Sequence, residues 1–567
     1  MFKRPDVLLL HAPSVFDFRE RPVLFGPISD VVPSTPAFEM YPLGLANIAE
    51  HLQRRGRSVR ILNLAFRMLD DPGFDVSKTL AGFHPRLFGI DLHWLVHAHG
   101  VVETARWCKR LHPDIPVVLG GLSATYYHQE LVRRPEIDFV LRGDSTEESV
   151  AALLEAVEGG RGLHEVPGLT WVDRGGALRV NPHLPPPVDL SLADDIYRAL
   201  FRMSARYVDA RSLTAIHDWW RHPQMAVLTF RGCNRSCAFC GGSSSSFRRF
   251  FGRSRTGFRP PERVARDVWR LSRYTGAPIF ILGDTREPGE AYAEDLFRRI
   301  GAFGVENEVA LELYRPAPER FYDLVADNVP SFNMELSPES HDEEIRKRCG
   351  KGYPNEDLEN NIRWALERGC GRFDLFLMVG LPGQNASSVL DSVDWSADLM
   401  DRHDRRFVPF ISALSPFLDP GSPIFENPGA FGYTVFHRTF EEHRRAMEQP
   451  SWEYILNYET EWLSRRDIVE TTYEAGRRMN RAKRDAGRIS NEQFERVERR
   501  NADSAALAAE VRAIMESGDE EGRERKLLAL KPRFDEVSQS SLCAKEEFRW
   551  PGAGFRYLQI ARSVLTS

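Results

Sequence analysis

The 567-residue chain has little cysteine for its length, seven in all, and four of these, Cys108, Cys349, Cys370 and Cys543, stand singly. That scatter excludes a disulfide framework. Long apolar runs are missing too. No stretch approaches the roughly 20 apolar residues of a membrane-spanning helix. Residues 1–5 lead straight into an apolar strand pattern without the longer core and small-residue cleavage site of a signal peptide. Nor is there a surplus of positive charge: the net charge is −6 on a chain 28% charged and 42% hydrophobic, which gives no electrostatic case for nucleic acid. The expectation is a cytoplasmic protein, with no membrane or nucleic-acid partner, long enough for about three domains.

What the chain does have is a strand-then-helix rhythm, twice over. In residues 1–160, apolar runs at 7–11, 59–64, 87–92, 117–119 and 139–141 alternate with helical patterns at 43–55, 101–111 and 146–157. This predicts an α/β domain with a Rossmann-like (flavodoxin-like) parallel sheet, holding ligands at the carboxyl ends of its strands. Those ends carry Pro13 and Ser14, then Asp91 to Trp94, then Gly120, Gly121 and Ser123, then Gly143. Residues 161–222 read as a joint: a short hairpin, the proline-rich 182–187, and a helical stretch around Trp219 and Trp220 that packs as scaffold.

The rhythm resumes in residues 223–425, with strands expected at 227–230, 279–282, 309–313, 331–336, 373–379 and 408–414. Six parallel strands with helical crossovers predict a partial (β/α)6 TIM-like barrel whose reactive groups sit at the C-terminal strand ends. Residues 426–567 lose strand character and predict an α-helical extension covering the barrel's open side, with Trp462, Tyr473 and Met479 as packing residues.

Cys233, Cys237 and Cys240 follow the first barrel strand at C-x3-C-x2-C spacing. Three thiolates so close supply three irons of a [4Fe-4S] cluster and leave the fourth iron open to another ligand. The alternative is a zinc knuckle, but zinc sites complete a Cys/His set of four within short reach. The nearest histidines, His217 and His222, lie upstream of the strand.

The cysteine spacing, with Phe239 just before the last cysteine, resembles the signature of the radical S-adenosylmethionine (radical SAM) superfamily. The resemblance implies that the open iron chelates SAM and that reduction yields a 5'-deoxyadenosyl radical. It also implies that Gly283 and Asp284 meet the methionyl ammonium, Glu335 and Ser337 the ribose, and Val379 and Gly380 the adenine. Asp284 reads equally as a helix cap. Residues 120–125 and 138–144 resemble the class with an N-terminal cobalamin (vitamin B12)-binding domain, which implies cobalamin contacts from Pro13, Ser14, Gly120, Gly121, Ser123 and Gly143. One departure is Val96, where the cobalt-ligating D-x-H-x-x-G pattern has glycine. His93 is therefore not assigned to cobalt, and His93, Trp94 and His97 are expected to pack between domains.

Residues 241–246 are expected to form a solvated loop, and Asp419 to face the substrate. Cys543 and Tyr557 read as structural rather than as hydrogen donors to a radical. The implied activity is cobalamin-dependent methyl transfer to an unactivated carbon of a small-molecule or peptide substrate, with a flavodoxin or ferredoxin as electron donor. The alternatives are a radical rearrangement, cyclisation or ring contraction with cobalamin modulating or absent, and a non-catalytic iron–sulfur or zinc binding module.

Overall fold

The computed structural model describes residues 4–27, 43–190, 196–213, 219–537 and 542–565. Short runs of Val, Ile, Leu and Phe form the strands of an N-terminal sheet: β1 (Val7–His11), β2 (Val59–Asn63), β3 (Leu87–Asp91), β4 (Val117–Gly120) and β5 (Phe139–Leu141). They run parallel in the order β2-β1-β3-β4-β5. Being covered by helices on both faces, they are apolar almost end to end.

β6 (Leu169–Val172) and β7 (Leu178–Val180) continue this sheet antiparallel beyond β5. The hairpin expected in the joint is therefore the edge of the N-terminal sheet, because Leu141 pairs with Leu169 and leaves no gap for a linker. The helix Ile196–Tyr207 packs against the helix Leu43–Arg54 of the N-terminal domain. Trp219 and Trp220 stack together and on Phe555, with ring centroids 5.0 to 5.3 Å apart. His217 lies outside the described residues, and His222 Nδ1 is 2.9 Å from the carbonyl of Trp550.

The second sheet holds β8 (Met225–Leu228), β11 (Ile279–Leu282), β12 (Val309–Leu313), β13 (Phe332–Glu339), β14 (Arg372–Val379) and β15 (Phe407–Ala413), all parallel and in sequence order. Between the first two stands a small antiparallel pair, β9 (Phe230–Arg231) and β10 (Gly257–Phe258). Among the described residues no pairing joins β8 to β15, so the barrel is partial.

The helix Arg465–Asp485, started by a capping box between Ser464 and Asp467, lies against β15. It ties down the chain end: Asn480 Nδ2 donates to the carbonyl of Leu542 at 2.6 Å, and a Cβ at Gly476 would meet Leu542 at 3.2 Å. The C-terminal region is not wholly helical, since β16 (Tyr433–Val435) and β17 (Tyr458–Thr460) form an antiparallel pair. Tyr473 and Met479 are buried as expected of packing residues. Among the described residues no helix is long and apolar enough to cross a membrane.

Candidate functional site: a cysteine loop at a barrel mouth

The cysteine loop leaves β9 and is braced from several sides. Arg235 N donates to Cys233 Sγ and Gly242 N to Cys240 Sγ, both at 3.3 Å. Ala238 N donates to the carbonyl of Cys349 at 3.0 Å, and Arg235 pairs with Glu287. Asp419 was expected to face substrate. Its carboxylate instead accepts from Gly241 N at 3.0 Å, and burial pushes its carboxyl up to about 6. Residues 241–246 are no loose loop either: Ser243 caps a helix, Ser244–Phe250, that buries Phe247.

Burial pushes the Cys233 thiol up to about 11 and raises Cys237 and Cys240 as well. Such thiols become thiolates when a metal displaces the proton. Among the described residues no three His, Cys, Asp or Glu side chains converge on one ion. The three cysteines are spread along the wall of a 1310 Å³ cavity in the barrel. That donor set fits a polynuclear iron–sulfur cluster, in which each thiolate takes its own iron, and does not fit mononuclear zinc.

Of the other groups expected near the cysteines, Phe239, Glu335 and Ser337 line this cavity. On β13, Met334 and Leu336 are buried outward while Asn333, Glu335 and Ser337 face inward. Asp284 does not join them. It is fully buried, with Arg286 Nε and N donating to Oδ1, and Arg286 Nη2 and Tyr314 N donating to Oδ2. Both oxygens are committed to an internal ion pair, which removes Asp284 from reach of a ligand. Gly283 stands at the neighbouring cavity, and its N–H donates to Glu312 Oε2 at 2.9 Å.

Val379 and Gly380 line neither cavity. Gly380 adopts φ +99, and a Cβ there would lie 2.3 Å from Tyr458 Oη. Tyr433 donates to its carbonyl at 2.6 Å. The glycine thus admits the β16–β17 hairpin rather than a flat ring.

A second cavity, of 980 Å³, lies between the N-terminal sheet and the barrel. Val7, Leu9, Gly89 and Val118 line it down one sheet face, and His11, Asp91, Gly120, Gly121 and Gly143 at the carboxyl ends. His11 Nδ1 is 3.0 Å from Asp91. Burial works against Asp91's charge, but His11 beside it holds the carboxyl below its ordinary value. At Gly120 and Gly143 a Cβ would meet nothing closer than 3.6 Å, so this floor has room above it. A slot running from strand ends down an apolar face fits a flat macrocycle with a long arm, as cobalamin is.

Pro13, Ser14 and Ser123 are outside that lining. A Cβ at Gly100 would lie 1.6 Å from the Pro13 carbonyl, so the 13–14 turn is pressed on a helix. Ser123 Oγ donates to the carbonyl of His93 at 3.0 Å. His93 and Trp94 do not pack between domains: they are exposed to the cavity, Trp94 by 49%. His97 is buried, with Nδ1 2.9 Å from the carbonyl of Ala12, and burial lowers its pKa to about 4.

The two cavities meet, sharing Trp94, Glu312, Tyr314, Glu335, Phe376 and Phe548. Tyr314, Glu312, Phe376, Phe410 and Lys351 escaped the reading of motifs. Three of them, Glu312, Phe376 and Phe410, lie on β12, β14 and β15 and were signalled by alternation along those strands. Lys351 donates to Glu339 and to the carbonyl of Ser337. Cys543 and Phe548 pack on Phe410 at the cavity wall, whereas Tyr557 is 70% exposed and lines neither cavity.

The radical SAM superfamily matches residues 227–396, and the B12 binding domain matches residues 30–153. The chain is a radical SAM protein with a B12-binding domain. It is 25% identical, over 74% of its length and 77% of the relative's, to an anaerobic magnesium-protoporphyrin IX monomethyl ester cyclase of Synechocystis. It is 23% identical to a cytidylyl-2-hydroxyethylphosphonate methyltransferase of Streptomyces wedmorensis, over 66% of this chain and 75% of that one. In fold, this radical SAM protein is similar to the radical SAM methyltransferase TsrM of Kitasatospora setae, solved with cobalamin and a [4Fe-4S] cluster. The TM-score is 0.52 at 19% identity, over 76% of this chain and 78% of that one.

Proposed function

We propose that this protein is a cobalamin-dependent radical SAM methyltransferase acting on an unactivated carbon of a small-molecule or peptide substrate. The observation that carries the reading is that the cavity of Cys233, Cys237 and Cys240 opens into the cavity over the carboxyl ends of the N-terminal sheet. A substrate at the junction has the iron–sulfur site on one side and the B12 site on the other. Held there, the cluster would supply the electron for reductive cleavage of SAM, and cobalamin the methyl group to be transferred.

The protein's own part is to hold and to exclude. The three thiolates would hold the cluster, and the N–H groups of Arg235 and Gly242, already aimed at two sulfurs, would support it. Phe239, Ser337 and Lys351 would border SAM, with Lys351 the cation that most favours the Cys237 thiolate. Gly120, Gly121 and Gly143 would lie under the corrin. Phe376, Phe410 and Phe548 give one wall of the barrel cavity an apolar face that keeps water from a radical. An electron donor of the flavodoxin or ferredoxin kind would reduce the cluster.

The test is methyl-labelled SAM supplied to the anaerobically reconstituted, cobalamin-loaded, reduced protein with extracts of its source cells. Label in a product supports the reading. Cobalamin binding and 5'-deoxyadenosine without any transferred label overturn methyl transfer. They leave the second reading, a radical cyclisation or rearrangement, which the likeness to the cyclase favours.

A further inference from the structure

Where the two cavities meet, the barrel presents carboxylates from adjacent strands in one row. Glu312 of β12 stands in register with Glu335 of β13, and Glu335 with Asp374 of β14. Glu312 and Glu335 line the junction, and Asp374 lines the sheet-side cavity next to them. Asp374 is matched by Arg372 at 2.7 Å. Among the described residues the other two form no ion pair. Glu312 accepts only a backbone N–H, that of Gly283, and Glu335 has no hydrogen-bond or ion-pair partner among the described residues, although the barrel encloses it.

The cations acting on this pair are already committed: Arg372 to Asp374, and Lys351 to Glu339. Lys483, whose Nζ stands 3.8 Å from the Phe410 ring centroid, is matched by Glu547 at 2.7 Å. Two neighbouring carboxylates in a desolvated cavity repel each other unless they share a proton or a cation enters between them. Beside them stands an aromatic wall in which Phe410 stacks on Phe376 at 5.3 Å and on Phe548 at 4.7 Å. Carboxylates next to aromatic faces form the chemistry that receives an organic cation.

We infer that the substrate is an organic cation, carrying a protonated amine, amidine or guanidine that docks between Glu312 and Glu335, with an apolar or aromatic body against Phe376, Phe410 and Phe548. The inference rests on the proposed function only in placing substrate at the junction. Burial, then Asp374 and Glu312, raise the Glu335 carboxyl to about 8, and an arriving ammonium relieves that crowding.

The test uses the full-length reconstituted protein and three probes of like shape: 3-phenylpropylammonium, 3-phenylpropanol and 4-phenylbutyrate, with binding read by equilibrium dialysis. The cation is expected to bind at least tenfold tighter than the alcohol, and the anion not at all. Glu335→Gln and Glu312→Gln should each cut cation binding tenfold, with circular dichroism confirming the fold. The inference is overturned if the alcohol binds as well as the cation, if the cation fails to bind, or if both folded variants bind it like the wild type. Competitive displacement of the amine by SAM also overturns it, since the pair would then serve SAM's own charge. The dialysis needs no SAM cleavage, and wild-type 5'-deoxyadenosine formation is scored separately. Failure of this inference and failure of the proposed function are thus read apart.

Discussion

Asp284→Asn separates a ligand contact from an internal brace. The aspartate is fully buried, and its two oxygens receive two bonds from the Arg286 guanidinium, one from Arg286 N and one from Tyr314 N. An asparagine of equal size keeps one acceptor, turns an N–H2 toward donors, and leaves the guanidinium without its counter-charge. Arg286 still donates to the carbonyls of Arg315 and Pro316, which softens the loss. Breaking a buried ion pair from one side costs about 3–5 kcal/mol, and the retained bonds place this case near the lower figure. With a urea m-value of about 3 kcal/mol/M, the unfolding midpoint should fall by about 1 M. Circular dichroism in urea reads the shift, and SAM affinity on the folded variant should stay within twofold of wild type. An unchanged midpoint with SAM binding weakened tenfold would refute the reasoning and return Asp284 to the methionyl ammonium.

Glu335→Gln should change the pH dependence of stability. Burial raises the folded-state pKa from 4.5 to about 8, so Glu335's contribution is full below pH 4.5 and is lost as the pH rises through 8. The ligand-free variant should therefore match wild type in acid and exceed it above pH 8 in urea unfolding. Gly380→Ala, placing a Cβ 2.3 Å from Tyr458 Oη at a positive φ, should cost about 2–4 kcal/mol in the same assay. Its SAM affinity should hold, because the residue borders neither cavity. Lys483→Met strands the buried Glu547 carboxylate and removes a cation 3.8 Å from the Phe410 ring. The loss should be about 3 kcal/mol, largely restored by adding Glu547→Gln.

The parallel strands were legible because each is a short apolar run ended by a turn signal, and the cysteine loop because its spacing is chemically specific. Residues 169–180 form the expected hairpin, but it belongs to the N-terminal sheet and not to the joint. The sequence marks a hairpin, but pairing with β5 is a long-range event that leaves no local sign. Asp284 and Gly380 share one cause of error. A carboxylate or a glycine at a strand end is suited to a ligand, yet Arg286 lies two residues away and Tyr458 arrives from 78 positions along the chain to claim them. The inward carboxylates Glu312 and Asp374 were written in the strands' alternation, since charge on a buried strand must face a cavity. Phe548 was not, because the chain end reaches the barrel through long-range contacts, among them Asn480 with Leu542 and Lys483 with Glu547, that leave no local sign.

The central claim is that Cys233, Cys237 and Cys240 hold the cluster that cleaves SAM. It is tested most directly by incubating the anaerobically reconstituted, dithionite-reduced protein with SAM and quantifying 5'-deoxyadenosine, alongside a variant with all three cysteines changed to alanine. The account predicts iron–sulfur absorption and 5'-deoxyadenosine from the wild type and neither from the variant. A cluster and SAM cleavage retained in the folded triple variant, or a reconstituted wild type that forms the cluster yet never yields 5'-deoxyadenosine, would contradict it.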